Sequence, residues 1–568
     1  MARARTIANL WRDAVKAAHP DPAYLHEVDG EWVEVSWADA ARAVDEIANG
    51  LLALDVQRGD AFALLARTNL EWSLFDFALA LVGAVGAPIY ANSSARDALY
   101  VLEHSEAIGI LVEDEEQRAK LAGSSVRHVI SFDELDALRE RGRAYAHEHP
   151  GALDERADTV EEDDLFTFIY TSGTTGPPKA CMIRHRNYYA MVHSASDMED
   201  RLTLPGDVML LYLPLAHNYG RLLHLSAAYI GFTIAFLPDP LRAATELPRV
   251  RPHLFPSVPR VYEKIHTAVV AGFDDQHGLK RQVAGWALRV GYRVSRLRQA
   301  GQPVPPVLGL QHRLADRLVY SKVKQRLGGR LRVANAGGAP LSKEIAEFFH
   351  AIDILILEGY GLSEITTAAT VNRHDDFRFG TVGKPLPGVE LAFAEDGEVL
   401  IRSDTVFAGY YRDPDATRAT LDDDGFVHTG DVGRLDDDGF LVITDRKKDI
   451  LVTAGGKNIA PQNLENELKS HKVISQVLVV GDRKPYVAAL VTVDPESTNG
   501  LSDVQVRDAV QSAVDAVNAE RSRYEQIKRF TVLPREFTLD EDEVTPTLKL
   551  RRKVILDHFA REFAGLYD

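Results

Sequence analysis

The sequence predicts an α/β protein of at least two domains. A large N-terminal domain of βα-rich subdomains, with mainly parallel sheets and a small β-subdomain, precedes a small α+β domain at the C-terminus. Three observations carry this. At 568 residues the chain exceeds what one hydrophobic core usually supports. From Thr6 to about Gly123, helical patterns such as Trp37 to Leu54 alternate with short apolar runs such as Ala61 to Ala66 and Ile108 to Glu113, as βα units require. After Lys447 the pattern changes to short mixed elements that continue to Asp568.

Bulk properties narrow the function classes. Hydrophobic residues make up 45% and charged residues 26%, ordinary for a globular enzyme. A net charge of -18 argues against nucleic acid as the main partner, because phosphate contacts need a basic face. The single cysteine, Cys181, excludes an intrachain disulfide and any multi-cysteine metal site, so a cytoplasmic, reducing setting is expected. The N-terminal stretch has no apolar h-region and reads as no signal peptide. The longest apolar run, Leu74 to Ala91, is broken by Asp76, so no membrane span is expected.

In chain order, Arg139 to Asp164 is polar and acidic and reads as a surface connection. It leads into LFTFIY, Leu165 to Tyr170, whose apolar and aromatic residues suit a buried strand. The stretch that follows, Thr171-Ser-Gly-Thr-Thr-Gly-Pro-Pro-Lys179, is built for phosphate. Gly173 and Gly176 allow close backbone approach, while Thr171, Ser172, Thr174, Thr175 and Lys179 can donate to phosphoryl oxygens. The Walker spacing fails, since Pro178 stands where its second glycine would be and no hydroxyl residue follows Lys179.

Asp207 to Tyr219 reads as a strand ending in a turn at Pro214, with His217 either structural or functional. Leu222 to Leu237 is almost wholly uncharged and serves equally as core or as the wall of an alkyl pocket. Between Lys280 and Arg332 stand thirteen Lys/Arg against one acid, Asp316. A solvated helical face or a membrane-surface dock, with Trp286, Leu288, Val290, Tyr292, Val294 and Leu297 interleaved, would each account for it.

Arg332 to Leu341 reads as a strand ending at Gly337-Gly338, where a flat base could lie against backbone. Ile354 to Glu364, ILILEGYGLSE, reads as a strand and turn that can present Tyr360 to an adenine face and Glu364 to a metal. LDDDGF occurs twice, at Leu421 to Phe426 and Leu435 to Phe440, and marks hairpin turns. Between them, Asp431 of His-Thr-Gly-Asp could accept from a ribose diol. Near the end, Lys549 lies between a turn and a basic helical run.

These motifs together resemble the adenylate-forming superfamily of acyl-CoA synthetases, luciferases and adenylation domains, most closely its bacterial long-chain fatty acyl-CoA synthetases. The likeness spans nearly the whole chain and includes Arg251 to Ile265, RPHLFPSVPRVYEKI. It implies domains of 1–447 and 448–568, the second mobile about a hinge at Lys448. It implies ATP, Mg²⁺ and coenzyme A as cofactor and co-substrates and a fatty acid as substrate. The phosphate loop would contribute Thr175 and Lys179 to catalysis, Thr171 and Glu364 would hold Mg²⁺, and His217 would border the acyl pocket and thiol tunnel. Tyr360 would stack on adenine beside Gly361, Ser363 would help hold phosphate, and Asp431 and Arg446 would contact the ribose. Gly455 and Gly456 would line the thiol tunnel, and Lys549 would be the adenylation lysine. Ala180-Cys181 replaces the usual Gly-Val, and no tryptophan lies near His217 to gate the tunnel. An acyl-AMP ligase loading a carrier protein, an aryl-acid–CoA ligase and a non-catalytic nucleotide-binding regulator are the competing readings.

Overall fold

The structure is a computed structural model describing residues 3–17, 19, 22–171, 177–196, 203–454, 457–519, 521–545 and 549–568. The large N-terminal domain holds two sheets. A six-stranded sheet runs in the order His128–Ser131, Gly109–Val112, Ala61–Leu65, Val85–Ile89, Leu165–Thr171 and Lys179–Arg184, parallel except for its last pair. In a nine-stranded sheet the central strands, from Ile356–Tyr360 across to Tyr24–Val28, pair in parallel and antiparallel strands close each edge. Helices cover the faces, so central strands such as Ala61–Leu65 and Val85–Ile89 are buried on both sides and read as continuous apolar runs.

The Leu70–Val82 helix, buried at every position but Glu71, sits in this core. Asn69 caps it by accepting from the Trp72 N–H, and Gly83 ends it in the left-handed region at φ 72°. Its buried charge, Asp76, is 0% exposed and is paired through both oxygens with Arg221, itself 0% exposed, on the Asn218–Ile230 helix. Arg221 also donates to the Thr167 hydroxyl at 2.6 Å and lies 4.3 Å over the Phe166 ring, so each guanidinium nitrogen makes a bond and one face is covered.

The segment expected as a surface connection, 139–164, is instead largely helical. Leu135–Glu148 and Ala152–Asp158 form helices, with Leu135, Leu138, Gly142 and Ala157 buried. A side chain at Gly142 would meet the Glu46 carbonyl at 1.9 Å, so this helix rides directly on the Trp37–Ala53 helix. A few buried residues per helix suffice for that, and the polar remainder hid the pattern.

A four-stranded antiparallel sheet, Glu390–Phe393, Glu398–Arg402, Val427–Leu435 and Leu441–Arg446, forms the small β-subdomain. Both LDDDGF copies are tight turns built alike. Asp422 accepts from the N–H of Asp424 and Phe426, and Asp436 from the N–H of Asp438 and Phe440. The small C-terminal domain packs the Pro461–Lys469 and Asp503–Ala519 helices on a three-stranded sheet of Ile474–Val480, Val487–Val493 and Ile527–Val532. No helix among the described residues is long and apolar enough to cross a membrane.

Candidate active site

A cleft of about 2890 Å³ separates the two domains, and the sequence-predicted residues gather on its walls. On one side the strands Leu165–Thr171 and Lys179–Arg184 pair antiparallel, with Thr171 opposite Lys179, and both residues line the cleft. The Thr171 hydroxyl donates to the Lys179 carbonyl at 3.4 Å. The Lys179 ammonium lies 3.7 Å from Asp413 and 5.2 Å from the Tyr410 ring centroid. Ser172, Gly173, Thr174, Thr175 and Gly176 of the phosphate-type loop, and Gly455 and Gly456, lie outside the described residues.

The floor comes from the ends of parallel strands, where open α/β sheets place their ligands. Gly337 and Gly338 follow Val333–Ala336, and a Cβ at Gly337 would stand 3.3 Å from the Tyr219 ring. Tyr360 ends Ile356–Tyr360. At Gly361 a Cβ would meet the Thr367 carbonyl at 1.8 Å, so only hydrogen fits there and the chain can turn at once into Ser363 and Glu364. The Asn218 side-chain amide donates to the Ser363 carbonyl at 3.5 Å, tying this turn to the start of the Asn218–Ile230 helix.

Asp431 and Arg446 stand opposite each other on adjacent antiparallel strands, which brings their side chains together. The Arg446 Nε lies 3.0 Å from one oxygen of the buried Asp431, and the Tyr360 hydroxyl donates to the other at 2.7 Å. Each carboxylate oxygen keeps a lone pair for another donor. Burial, then the Asp431 charge, pushes the Tyr360 phenol well above its ordinary pKa, so it stays a donor.

Cations face this acid from the small domain. Lys549 is open to solvent but its ammonium is crowded by the cleft walls. That crowding first, and Arg446 second, lower its pKa, with Asp431 and Glu364 pulling the other way. Lys448 is lowered likewise by burial and by Arg446. His217 caps the Asn218–Ile230 helix, its Nδ1 accepting from the Tyr219 N–H at 3.1 Å. The ring is therefore neutral with its proton on Nε2. Burial, then the Lys549 charge, takes its pKa down to about 4.

Comparison with known proteins agrees with this geometry. The family model described as "AMP-binding enzyme" matches residues 11–411, and that of the AMP-binding enzyme C-terminal domain matches 448–568. The chain belongs to the AMP-binding enzyme family. A long-chain-fatty-acid–CoA ligase, FadD15 of Mycobacterium bovis, is 38% identical over 96% of this AMP-binding enzyme and 95% of its own length. Among solved structures, the adenylation domain of a carboxylate reductase from Mycobacterium chelonae superposes with a TM-score of 0.79 at 23% identity, covering 99% of this chain and 91% of the other. A Mycobacterium tuberculosis fatty acyl CoA synthetase gives 0.63 at 22% identity, covering 98% and 99%. At these identities the structural likeness concerns the fold.

Sequence reasoning missed two cleft residues of this AMP-binding enzyme. Tyr410 is buried and donates to Glu364 Oε1 at 2.6 Å, reaching it from 46 positions away. Glu358 is a buried carboxyl that accepts from the Leu341 N–H at 3.0 Å. Burial raises its pKa to about 8, so it is largely protonated at neutral pH. Its place inside an apolar strand was the available signal, since a lone acid there must be partnered or neutral. Among the described residues no cluster of three or more His, Cys, Asp or Glu is poised for a metal. A single cleft carboxylate such as Glu364 fits Mg²⁺, which binds through one or two carboxylates, waters and substrate phosphates.

Proposed function

We propose that this AMP-binding enzyme activates a medium- or long-chain fatty acid with ATP, releases pyrophosphate, and transfers the acyl group to coenzyme A. The observation that carries this is the convergence of Lys549, from the small domain, on the cleft holding Glu364, Tyr360, Asp431 and Arg446, in a chain 38% identical to a long-chain-fatty-acid–CoA ligase. An apolar arm of the same cleft, with Met209, Leu222, Leu223, Ile230 and Phe232, supports an alkyl substrate.

The substrate carboxylate attacks the α-phosphorus of ATP and pyrophosphate leaves, giving acyl-AMP. The coenzyme A thiol then attacks the acyl carbon and AMP leaves. Neither step needs a nucleophilic side chain, so positioning and charge stabilisation are the enzyme's task. Asp431 and Arg446 hold the ribose, Tyr360 and the Gly337-Gly338 turn flank the adenine, and Ser363 and the loop residues from Thr171 through Thr175 to Lys179 hold phosphate. Lys549 offsets charge on the departing pyrophosphate, and neutral His217 borders the acyl carbon. Mg²⁺, held by Glu364 with Thr171, would neutralise phosphate charge. We place the domain boundary between residues 447 and 448, with rotation about Lys448 exchanging Lys549 for the Gly455-Gly456 stretch. The basic 280–332 segment supports peripheral contact with an anionic membrane.

Pyrophosphate release measured with and without coenzyme A, across acids of graded length, tests the reading. Each added methylene should contribute about 0.8 kcal/mol of binding until the arm is full. Equal or better turnover with acetate or benzoate than with dodecanoate would overturn it.

A further inference from the structure

Within the basic segment, the residues expected to face a membrane are turned inward. In the Leu279–Gln299 helix, Val290 and Val294 are buried, while Trp286, Leu288, Tyr292 and Leu297 pack half-buried against the core. That helix offers the solvent exposed Arg289, Arg293 and Arg296 instead. The unpartnered apolar surface lies on the next helix. Pro306–Ala315 runs into a π-helical turn, Asp316–Tyr320, and along the two stand Val307, Leu310, Leu314 and Leu318, exposed by 71, 68, 49 and 42%.

Their spacing of three and four residues puts these four side chains on one helical stripe, about 17 Å long at 1.5 Å per residue. The inward face of the same helix, with Leu308, His312, Ala315 and Val319, is buried. Arg313, Arg317 and Lys322 are exposed beside the stripe and form no ion pair among the described residues. An apolar stripe edged by uncompensated cations, on an otherwise acidic protein, complements an apolar layer beneath anionic headgroups.

We propose that the 306–318 stripe is the membrane-contacting face, and that its occupant is the headgroup and upper acyl region of an anionic bilayer. The inference rests on the peripheral contact proposed above and fixes where it occurs. The leucines insert, while Arg313, Arg317 and Lys322 reach the headgroups. The exposed arginines of the preceding helix add attraction at long range without insertion.

Sedimentation of the full-length protein with phosphatidylcholine vesicles, with and without phosphatidylglycerol, tests this. Wild type should bind the anionic vesicles at low salt and the neutral ones far more weakly. Leu310→Ser with Leu314→Ser should weaken binding about tenfold or more, and Arg313→Gln with Arg317→Gln should weaken it and flatten its salt dependence. Arg289→Gln, Arg293→Gln and Arg296→Gln together should cost less than the leucine pair. Thermal melting and turnover of octanoate in vesicle-free buffer serve as controls for folding and for the ligase reading. Absence of wild-type binding overturns membrane contact altogether. Unchanged binding of the leucine variant, or loss confined to the 289/293/296 variant, overturns the placement. Conversion of a dimer to a monomer by the leucine variant would assign the stripe to a second copy of the chain. Failure of octanoate turnover in wild type, with vesicle binding intact, counts against the ligase reading alone.

Discussion

The Tyr410 hydroxyl fixes one oxygen of Glu364, and the Glu364 backbone is fixed in turn by the Phe407 N–H at 2.9 Å. A hydrogen bond to a charged group contributes about 1.5–3 kcal/mol, so Tyr410→Phe should raise the Mg²⁺ concentration for half-maximal pyrophosphate release roughly tenfold. Thioester formation from supplied acyl-AMP should be unchanged, and an unaltered Mg²⁺ requirement would remove Tyr410 from this role. Glu358 gives a pH signature instead. Folded, it keeps its proton to about pH 8, whereas its ordinary value is 4.5. The folded state therefore binds more protons between these values. The stability linked to this group is full below 4.5 and falls as pH rises to 8, by on the order of a few kcal/mol. Glu358→Gln lacks that slope, and its amide oxygen still accepts from Leu341. Denaturation midpoints of the two proteins should diverge in favour of the variant from pH 5 to 8, and parallel midpoints would show that Glu358 is not buried as a neutral acid. Tyr360, Glu364 and Asp431 were legible as cleft residues because each lies in a short motif with a physical purpose, and Arg446 was legible through the resemblance alone. The Tyr410–Glu364 bond was not, because nothing local to Tyr410 tells that its ring returns to the cleft.

Of the two LDDDGF stretches read as hairpins, the second joins the paired strands Val427–Leu435 and Leu441–Arg446, whereas the first links the Pro414–Thr420 helix to a strand, although both are Asp-capped turns. The antiparallel Lys179–Arg184 strand escaped notice because its partner is defined only when the intervening loop folds back. The helices between Leu135 and Asp158 did too, since a thin apolar stripe sufficed to dock them. Asp76 was visible as a charge interrupting an apolar run, but Arg221, its partner 145 positions on, was not. That ion pair joins the Leu70–Val82 helix to the helix whose N-terminus carries His217 and Asn218. Asp76→Ala leaves a buried guanidinium uncompensated and should cost about 3–5 kcal/mol in chemical denaturation. Asp76→Leu with Arg221→Met should recover most of that loss. A double variant no more stable than the single one would mean that the pair is not energetically coupled.

At the scale of the whole molecule, the small domain touches the large one through polar contacts such as the 2.8 Å bond from Arg260 to Ser475. Such contacts release at modest cost, and they leave Lys549 inside the cleft. Lys549→Ala should lower acyl-AMP formation by 10² or more, as removal of one preorganised donor commonly does, while thioester formation from supplied acyl-AMP survives. Lys448→Pro, by restricting φ at the hinge, should slow one half-reaction more than the other. Equal impairment of both half-reactions by Lys549→Ala would defeat the two-state arrangement. The charge distribution acts at the same scale. Thirteen of the cations sit in one 53-residue stretch, while the chain as a whole carries -18. The molecule is thus a strong electric dipole, and in the field above any anionic surface it experiences a torque before it makes a contact. Approach with the acidic remainder foremost is repelled and approach with the basic helices foremost is drawn in, so arrival is already oriented and the cleft mouth takes up a fixed bearing relative to the surface.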